Sequence, residues 1–355
     1  MSSKLPISLC MIVKNEEEFL DSSLKSVISV LELEDLVVVD TGSTDRTKEI
    51  AFDNGAGVYD FEWVNDFSAA RNYSASKAKN DWVLFMDADE VLKEADIDII
   101  GSFIETAPAG SVGAIKMIAN PGNASSNISR LYNKKNHKLD GMIHEQIVPI
   151  DDNAKEIVVI PIIAEHFGYA PEIKESKGKF ERNTKMLKEA LKKQPGDPYL
   201  LAQLGKSYYV NGEDLSVACD YFERALAADV DYRLEYVYIT VEQYGYSLLR
   251  TEQYEKALGH IDRYTEHYAA AKPEFRFLMA HVFQNNGMFQ EAVECYESCI
   301  GADMIDTEGI TSYLSYYNIG VILECVGMIE DAVAVYKSCG DYEPAVNRLA
   351  ELMKK

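Results

Sequence analysis

The sequence predicts an α/β domain on a mainly parallel sheet, followed by an all-α solenoid of helical repeats. Three observations carry this. From residue 5 to about 105, short apolar runs alternate with amphipathic stretches, which implies strands connected by helices that cover both sheet faces. From about 171 to the end the apolar period is helical throughout. Between them, residues 112 to 165 hold short strands and loops that suit an antiparallel extension of the first sheet.

The elements follow in order. "ISLCMIV" (7–13) reads as a buried strand, and "EEEFLDSSLKSVISVL" (16–31) as a helix with Phe19, Leu20, Leu24, Val27, Ile28 and Leu31 on its apolar face. "LVVVD" (36–40) is a second strand. "STDRTKEIAFDNG" opens on a capping signal and closes near Gly55, as a helix does. "VYDF" (58–61) is a short third strand, and "DFSAARNYSASKAK" a helix capped by Asp66 or Ser68. "DWVLFMD" (81–87) is the fourth strand. "VGAIKMI", "SRLYN" and "EIVVIPII" supply the extension, interrupted by the two histidine stretches "GMIHEQI" and "AEHFGY". "KGKFERNTKMLKEALKKQPGDP" is a charged helix ending at a Pro-Gly-Asp-Pro turn. This gives a first domain at 1–170, a linking helix at 171–196 and a repeat domain at 197–355.

The repeats announce themselves by spacing. Gly245, Ala280 and Gly320 are each followed by a large apolar residue (Leu248, Phe283, Leu323), then an alanine (Ala257, Ala292, Ala332), then Ile261, Tyr296 or Tyr336. Gly205 begins a further copy with Tyr208, Ala218, Phe222 and Ala225, one residue out of step. Small residues at fixed places let paired helices approach closely. The pattern resembles the tetratricopeptide repeat.

Composition excludes several functions. With 355 residues, 47% hydrophobic and 26% charged, the chain reads as two ordinary globular domains. Lys plus Arg is 35 against 58 Asp plus Glu, a formal net charge of -23, which argues against nucleic acid or an anionic membrane as principal partner. A phosphate-bearing substrate therefore needs a local positive centre, an arginine or a metal ion. The six cysteines form no CxxC pair, the first residues lack the apolar core of a secretory leader, and no run of about 18 apolar residues occurs. The expectation is a cytosolic protein with reduced thiols.

Three acids, Asp40, Asp87 and Asp89, fall at predicted strand carboxyl ends, as does the loop after the first strand, and ligands of open α/β sheets bind along that edge. A calcium loop counted from Asp87 fails, because Leu92 and Asp98 stand where Gly and Glu are required. Two carboxylates one residue apart behind an apolar strand can instead hold Mg²⁺ or Mn²⁺ carrying a diphosphate; a structural cap is the alternative. Asp40 can accept from a uracil N–H or a ribose hydroxyl, and it lies too far before its helix to cap it, a role left to Thr44 or Asp45. Arg71 can pair with a diphosphate or with a strand-end acid, unless it is an ordinary surface arginine. His166 can complete a metal's coordination and Glu145 can act as a general base, although a lone histidine is more often a hydrogen-bonded structural residue.

Together "CMIVKNEEEFL", "VVVDTGSTDRT", "FEWVNDFSAARN" and "WVLFMDADEVL" resemble a family 2 glycosyltransferase across residues 5 to 92, and the histidine stretches extend the resemblance to about 170. The subgroup with C-terminal tetratricopeptide repeats, which includes the sublancin-type peptide S-glycosyltransferase, is the most similar. The resemblance implies a nucleotide-sugar transferase fold of the A type (GT-A) and an inverting transfer. It implies that Val13, Asn15, Glu16, Asp40, Arg71, Asp87 and Ala88 hold the nucleotide and its diphosphate. Asp87, Asp89 and His166 would hold the metal, and Glu145 would be the base, with Asp140 and Glu90 as alternatives.

The expected function is metal-dependent transfer of a hexose or N-acetylhexosamine from a UDP-sugar to a peptide, protein or glycan acceptor. Mn²⁺ or Mg²⁺ would be the ion, and no nucleic acid is involved. The repeats would bind the acceptor or pair two copies of the chain. Two rivals stand beside this. One is a catalytically weak scaffold acting through its repeats, against which the intact acids argue. The other is a nucleotidylyltransferase, against which "KNEEEF" argues, since a Gly- and Lys/Arg-rich loop would be expected there.

Overall fold

The computed structural model describes residues 5–119, 125–151, 155–167, 173–212, 214–302 and 309–353. The chain divides into two compact units, Met1–Lys179 and Phe180–Lys355. The expected boundary at 170 and the end of "AEHFGY" lie outside the described residues.

In the first unit the chain runs β1 (Ile7–Val13), α1 (Leu20–Leu31), β2 (Asp35–Asp40), α2 (Thr47–Asp53), β3 (Gly57–Asp60), α3 (Phe67–Lys77), β4 (Trp82–Phe85), β5 (Glu90–Ala95) and α4 (Ile97–Thr106). β6 (Ser111–Ala119), β7 (Ser125–Asn133), β8 (His137–Asp140), β9 (Gln146–Pro149) and β10 (Glu156–His166) follow. Eight strands form one sheet in the order β3-β2-β1-β4-β7-β6-β10-β5, and β8 pairs with β9 apart from it.

The sheet is mixed. β1 is parallel to β2 and β4, and β2 to β3. β7 is antiparallel to β4 and β6, as β5 is to β10, but β10 runs parallel to β6. The expected antiparallel extension is thus antiparallel only in part. One consequence matters for the site: β10 points the same way as β1, β2 and β4, so His166 opens on the same sheet edge as Val13, Asp40 and the turn after β4.

Side-chain alternation builds two apolar layers. Leu9, Met11 and Val13 of β1 pack with Val38, Leu84 and the α1 residues Leu20, Leu24, Val27 and Leu31. On the opposite face Cys10, Val37, Val39, Val83 and Phe85 meet Ala75 and Ala78 together with Leu139 of β8 and Ile147 of β9. Each fully buried Val, Leu, Ile, Phe or Met side chain among these contributes on the order of 1.5–3 kcal/mol.

Two element boundaries differ from the sequence expectation. The helix predicted from Glu16 begins at Leu20, because the amides of Glu16 and Glu17 are taken by Thr47 Oγ1 (2.7 Å) and Asp45 Oδ2 (3.2 Å) from the facing loop. The fourth strand stops at Phe85 and the sheet resumes as the edge strand β5. The sequence does not signal β5, because Lys93 and Glu94 are exposed within it and only Glu90 and Leu92 are buried.

The second unit contains the greater part of α5 (Ile173–Lys193), which crosses the division between units, and then four helix pairs. These are α6 (Pro198–Asn211) with α7 (Leu215–Leu226), α8 (Glu235–Arg250) with α9 (Tyr254–Tyr268), α10 (Pro273–Asn285) with α11 (Phe289–Cys299), and α12 (Tyr313–Cys325) with α13 (Ile329–Lys337). α14 (Glu343–Leu352) closes the series. The small residues act as expected: a Cβ on Gly205 would lie 2.5 Å from the Phe222 ring of α7, and one on Gly320 2.6 Å from the Tyr336 ring of α13. All six cysteines are free thiols. Among the described residues no helix is long and apolar enough to cross a membrane.

Candidate active site

Two loops at the carboxyl ends of β1 and β2 are knitted together. The Val13 carbonyl accepts from the Thr41 amide (2.9 Å) and the Thr41 hydroxyl (3.0 Å). Asn15 sits in the left-handed region at φ 56°, which sends its amide to Ser43 Oγ (2.9 Å) and lets its Oδ1 accept from the Thr44 amide (2.8 Å). Asp40 lies at the base of this structure, 1% exposed. Its Oδ1 accepts from the Gly42 and Ser43 amides, both at 2.9 Å, a turn that places Gly42 at φ 110°. Its Oδ2 is buried and has no hydrogen-bond partner. A buried carboxylate oxygen left alone costs about 1–3 kcal/mol.

The second group gathers at the turn after β4. Arg71 is presented by α3, whose N-terminus is capped by Asp66 Oδ1 accepting from the Ala69 amide (2.9 Å). Arg71 Nη2 donates to Asp87 Oδ1 at 2.7 Å, and its Nε is ion-paired with Glu145, while Nη1 is buried without a hydrogen-bond partner. Arg130 of β7 reaches the same turn: its Nη2 lies 3.3 Å from Asp87 Oδ2 and is ion-paired with Glu90. Both guanidinium groups lie over one aromatic ring, Phe85, at 4.7 Å (Arg71) and 4.6 Å (Arg130) from its centroid.

Charge and burial compete here. Burial alone would raise the Asp87 pKa, but Arg71 and Arg130 outweigh it and hold the carboxyl below the usual range. Burial would likewise lower Arg71, yet Asp87 and Glu145 hold it above its ordinary value. At Glu90, only 2% exposed, burial wins over Arg130 and raises the carboxyl.

A third group lies beside this one. Asp89 Oδ2 is 3.2 Å from His166 Nε2, and the Phe167 amide donates to the Asp89 carbonyl (2.9 Å). The hydrogen bond to Asp89 raises the His166 pKa against the opposing effect of burial.

The expected site residues therefore fall into three places along one sheet edge. Val13, Asn15, Glu16 and Asp40 form the first. Arg71, Asp87 and Glu145 form the second, with Ala88 buried in the turn. Asp89 and His166 form the third. The structure does not bring Asp87, Asp89 and His166 together as one ligand set: Asp87 turns both oxygens to arginines, and among the described residues no group of three or more His, Cys, Asp or Glu is placed to hold a metal ion. Asp140 is exposed at the end of β8. The sequence marks Arg130 only as a single charge inside the strand "SRLYN", just ahead of the buried Leu131 and Tyr132.

Glu145 is held from two sides. The Asn72 side chain clamps β8, donating to the Leu139 carbonyl (2.7 Å) and accepting from the Leu139 amide (2.9 Å). The Phe67 amide donates to the Met142 carbonyl (2.9 Å), tying the loop before Glu145 to the start of α3.

A mixed α/β sheet with ligand loops and acids along one edge, in a chain that continues into paired helices, defines a GT-A-like domain joined to a helical-repeat region. Residues 8–162 match glycosyl transferase family 2, and residues 273–303 match the tetratricopeptide repeat. The chain thus carries a glycosyl transferase family 2 domain and a tetratricopeptide-repeat region. It is similar to a TPR repeat-containing protein of Synechococcus elongatus, 32% identical over 232 residues, covering 62% of this chain and 56% of that one. It is also similar to the SPbeta prophage-derived glycosyltransferase SunS of Bacillus subtilis, 26% identical over 235 residues, covering 63% and 54%. Those alignments span little more than half the length of either relative. Among solved structures, MamA 41-end from Desulfovibrio magneticus RS-1 aligns at TM-score 0.39 and 17% identity, over 48% of this chain and 88% of that one.

Proposed function

We propose that the chain is a metal-dependent, inverting glycosyltransferase that moves a hexose or N-acetylhexosamine from a UDP-sugar to a peptide, protein or glycan acceptor. The observation that carries the reading is the buried, unpartnered Asp40 Oδ2, which shares a sheet edge with the cluster of Arg71, Asp87 and Glu145. The glycosyl transferase family 2 match supports it.

Each residue has a task. Asp40 accepts from the uracil N–H or a ribose hydroxyl, and the backbone of Val13 to Glu16 lines the nucleoside. Arg71, with Nη1 unpartnered, faces the diphosphate as negative charge grows on it. Asp89 and His166 offer an oxygen and an imidazole that fit Mn²⁺ or Mg²⁺ once His166 is neutral; Asp87 fits as a further ligand only on exchanging a guanidinium. When bound, such an ion supplies a Lewis acid that neutralises the leaving diphosphate. Glu145 takes the proton from the acceptor's hydroxyl or thiol. The acceptor atom bonds to the sugar's anomeric carbon from the face opposite UDP, and the electrons of the broken C–O bond leave with UDP. The repeats bind the acceptor or pair two copies of the chain, and the free thiols suit a reducing cytosol.

The test is UDP release from UDP-glucose and UDP-GlcNAc with Mn²⁺. Asp89→Ala should abolish release. Glu145→Gln should keep nucleotide binding and lose transfer by about 10²–10⁴-fold. Full turnover in the first variant would remove the metal assignment, and in the second the base assignment.

A further inference from the structure

We propose that Arg130 is a positioning residue of the donor site, acting through Asp87, Glu90 and the Phe85 ring to fix the carboxylate that Arg71 shares. The proposal rests on reading that site as one for a nucleoside diphosphate sugar.

The placement of Arg130 follows from the sheet. β7 pairs with β4 through Leu84 and Leu131, so Arg130 falls next to Phe85, at the point where β4 ends and the acidic turn begins. At 7% exposed it offers little surface to a ligand. Its contacts all converge on the turn. One terminal nitrogen bridges Asp87 Oδ2 and Glu90 Oε1. Glu90 in turn accepts the Asp87 amide through Oε2 at 3.0 Å. Asp87 is therefore held at its side chain by Arg130 and at its backbone by Arg130's partner.

Arg71 grips the other oxygen, Oδ1, and the two guanidinium groups share the Phe85 ring. Without Arg130, Asp87 keeps the Arg71 contact at Oδ1, but its Oδ2 is no longer fixed. Arg71, still paired with Glu145 through Nε, then has one fixed partner instead of two to orient its unpartnered Nη1. Removing the partners that orient a metal's ligands typically costs 10–100-fold in metal affinity or activity, and a loss on that scale is expected for the partner that orients Asp87.

The rival is simpler: Arg130 only neutralises the buried Glu90. Removing one partner of a buried pair destabilises a fold whatever else the pair does, so a single substitution does not separate the two. Removing both partners does. In Arg130→Met/Glu90→Gln no buried charge is stranded at either position, and Gln keeps an oxygen for the Asp87 amide.

The experiment measures UDP affinity with Mn²⁺ by calorimetry, and thermal unfolding, for the wild-type chain, that double variant and Arg130→Lys. Expected are a double variant near wild-type stability that binds UDP 10–100-fold more weakly, and a lysine variant that is also weakened, since an ammonium does not reproduce the planar fork. Wild-type UDP affinity in the double variant would overturn the proposal and leave Arg130 a counter-charge. Should the double variant fail to fold, Arg130→Lys decides alone, and wild-type affinity there overturns the proposal. A wild-type chain that binds no UDP would instead overturn the donor-site reading on which the proposal rests.

Discussion

Asp40 has one carboxylate oxygen bonded twice to backbone amides and another buried with no partner. Asp40→Asn keeps the first oxygen and replaces the second with a donor. The turn at Gly42 and Ser43 should survive, while UDP affinity falls by about 1–3 kcal/mol, the cost of leaving a buried polar group mismatched. Titration calorimetry reads this, and an unchanged affinity would mean that Oδ2 meets no ligand. At this scale the sequence was informative where an acid followed an apolar run: Asp40 closes β2, and Asp87 and Asp89 lie in the turn after β4 on the same edge. His166, which ends β10 there, was a lone histidine in the sequence and drew its role only from the resemblance. The sequence was uninformative for Arg130, which stands 43 residues from Asp87 and reaches it only because β7 inserts beside β4. It also did not show that Asp87 faces arginines while Asp89 faces His166, since side chains one apart in a turn need not point the same way.

Small residues decide the helix pairs. Gly205→Ala or Gly320→Ala drives a methyl into the Phe222 or Tyr336 ring and should cost about 1–3 kcal/mol. Gly259, in the exposed face of α9, has nothing within 4 Å of its missing Cβ, so Gly259→Ala should stabilise by roughly 0.5–1 kcal/mol. Thermal melts of the three variants should move in opposite directions; a common direction would contradict the packing. In the first unit, Asn72→Ala removes both hydrogen bonds to Leu139, leaving a backbone donor and acceptor of β8 without these partners. It should cost about 1–3 kcal/mol and loosen the loop that carries Glu145, visible as faster amide exchange in β8.

The helical period and the repeat spacing were legible because each repeat must bury the same face against its neighbour. The edge strand β5 was not, because a strand paired on one side tolerates exposed Lys93 and Glu94. The start of α1 was not, because contacts with a loop some 30 residues on decide it.

At the scale of the whole chain, pH bears on the stability of the repeats. His260 is buried with its Nε2 2.7 Å from the Val241 carbonyl, and His281 lies 3.1 Å from the Tyr296 hydroxyl. Burial lowers both from 6.5 to about 4. Between those values the unfolded chain takes up protons that the folded chain refuses. Their contribution is therefore whole above about pH 6.5 and is lost as the pH falls toward 4, by up to roughly 3 kcal/mol per group. Thermal melts should show the loss between pH 7 and pH 5, and a flat profile would contradict it.

Above the folds stands the claim that the sheet edge is a metal-assisted UDP-sugar site. The measurement that meets it most directly is the thermal shift of the intact chain with UDP, with and without Mn²⁺. A shift that requires both, and that disappears in Asp89→Ala, is the predicted result. No shift under any combination, or an equal shift without metal, would contradict it.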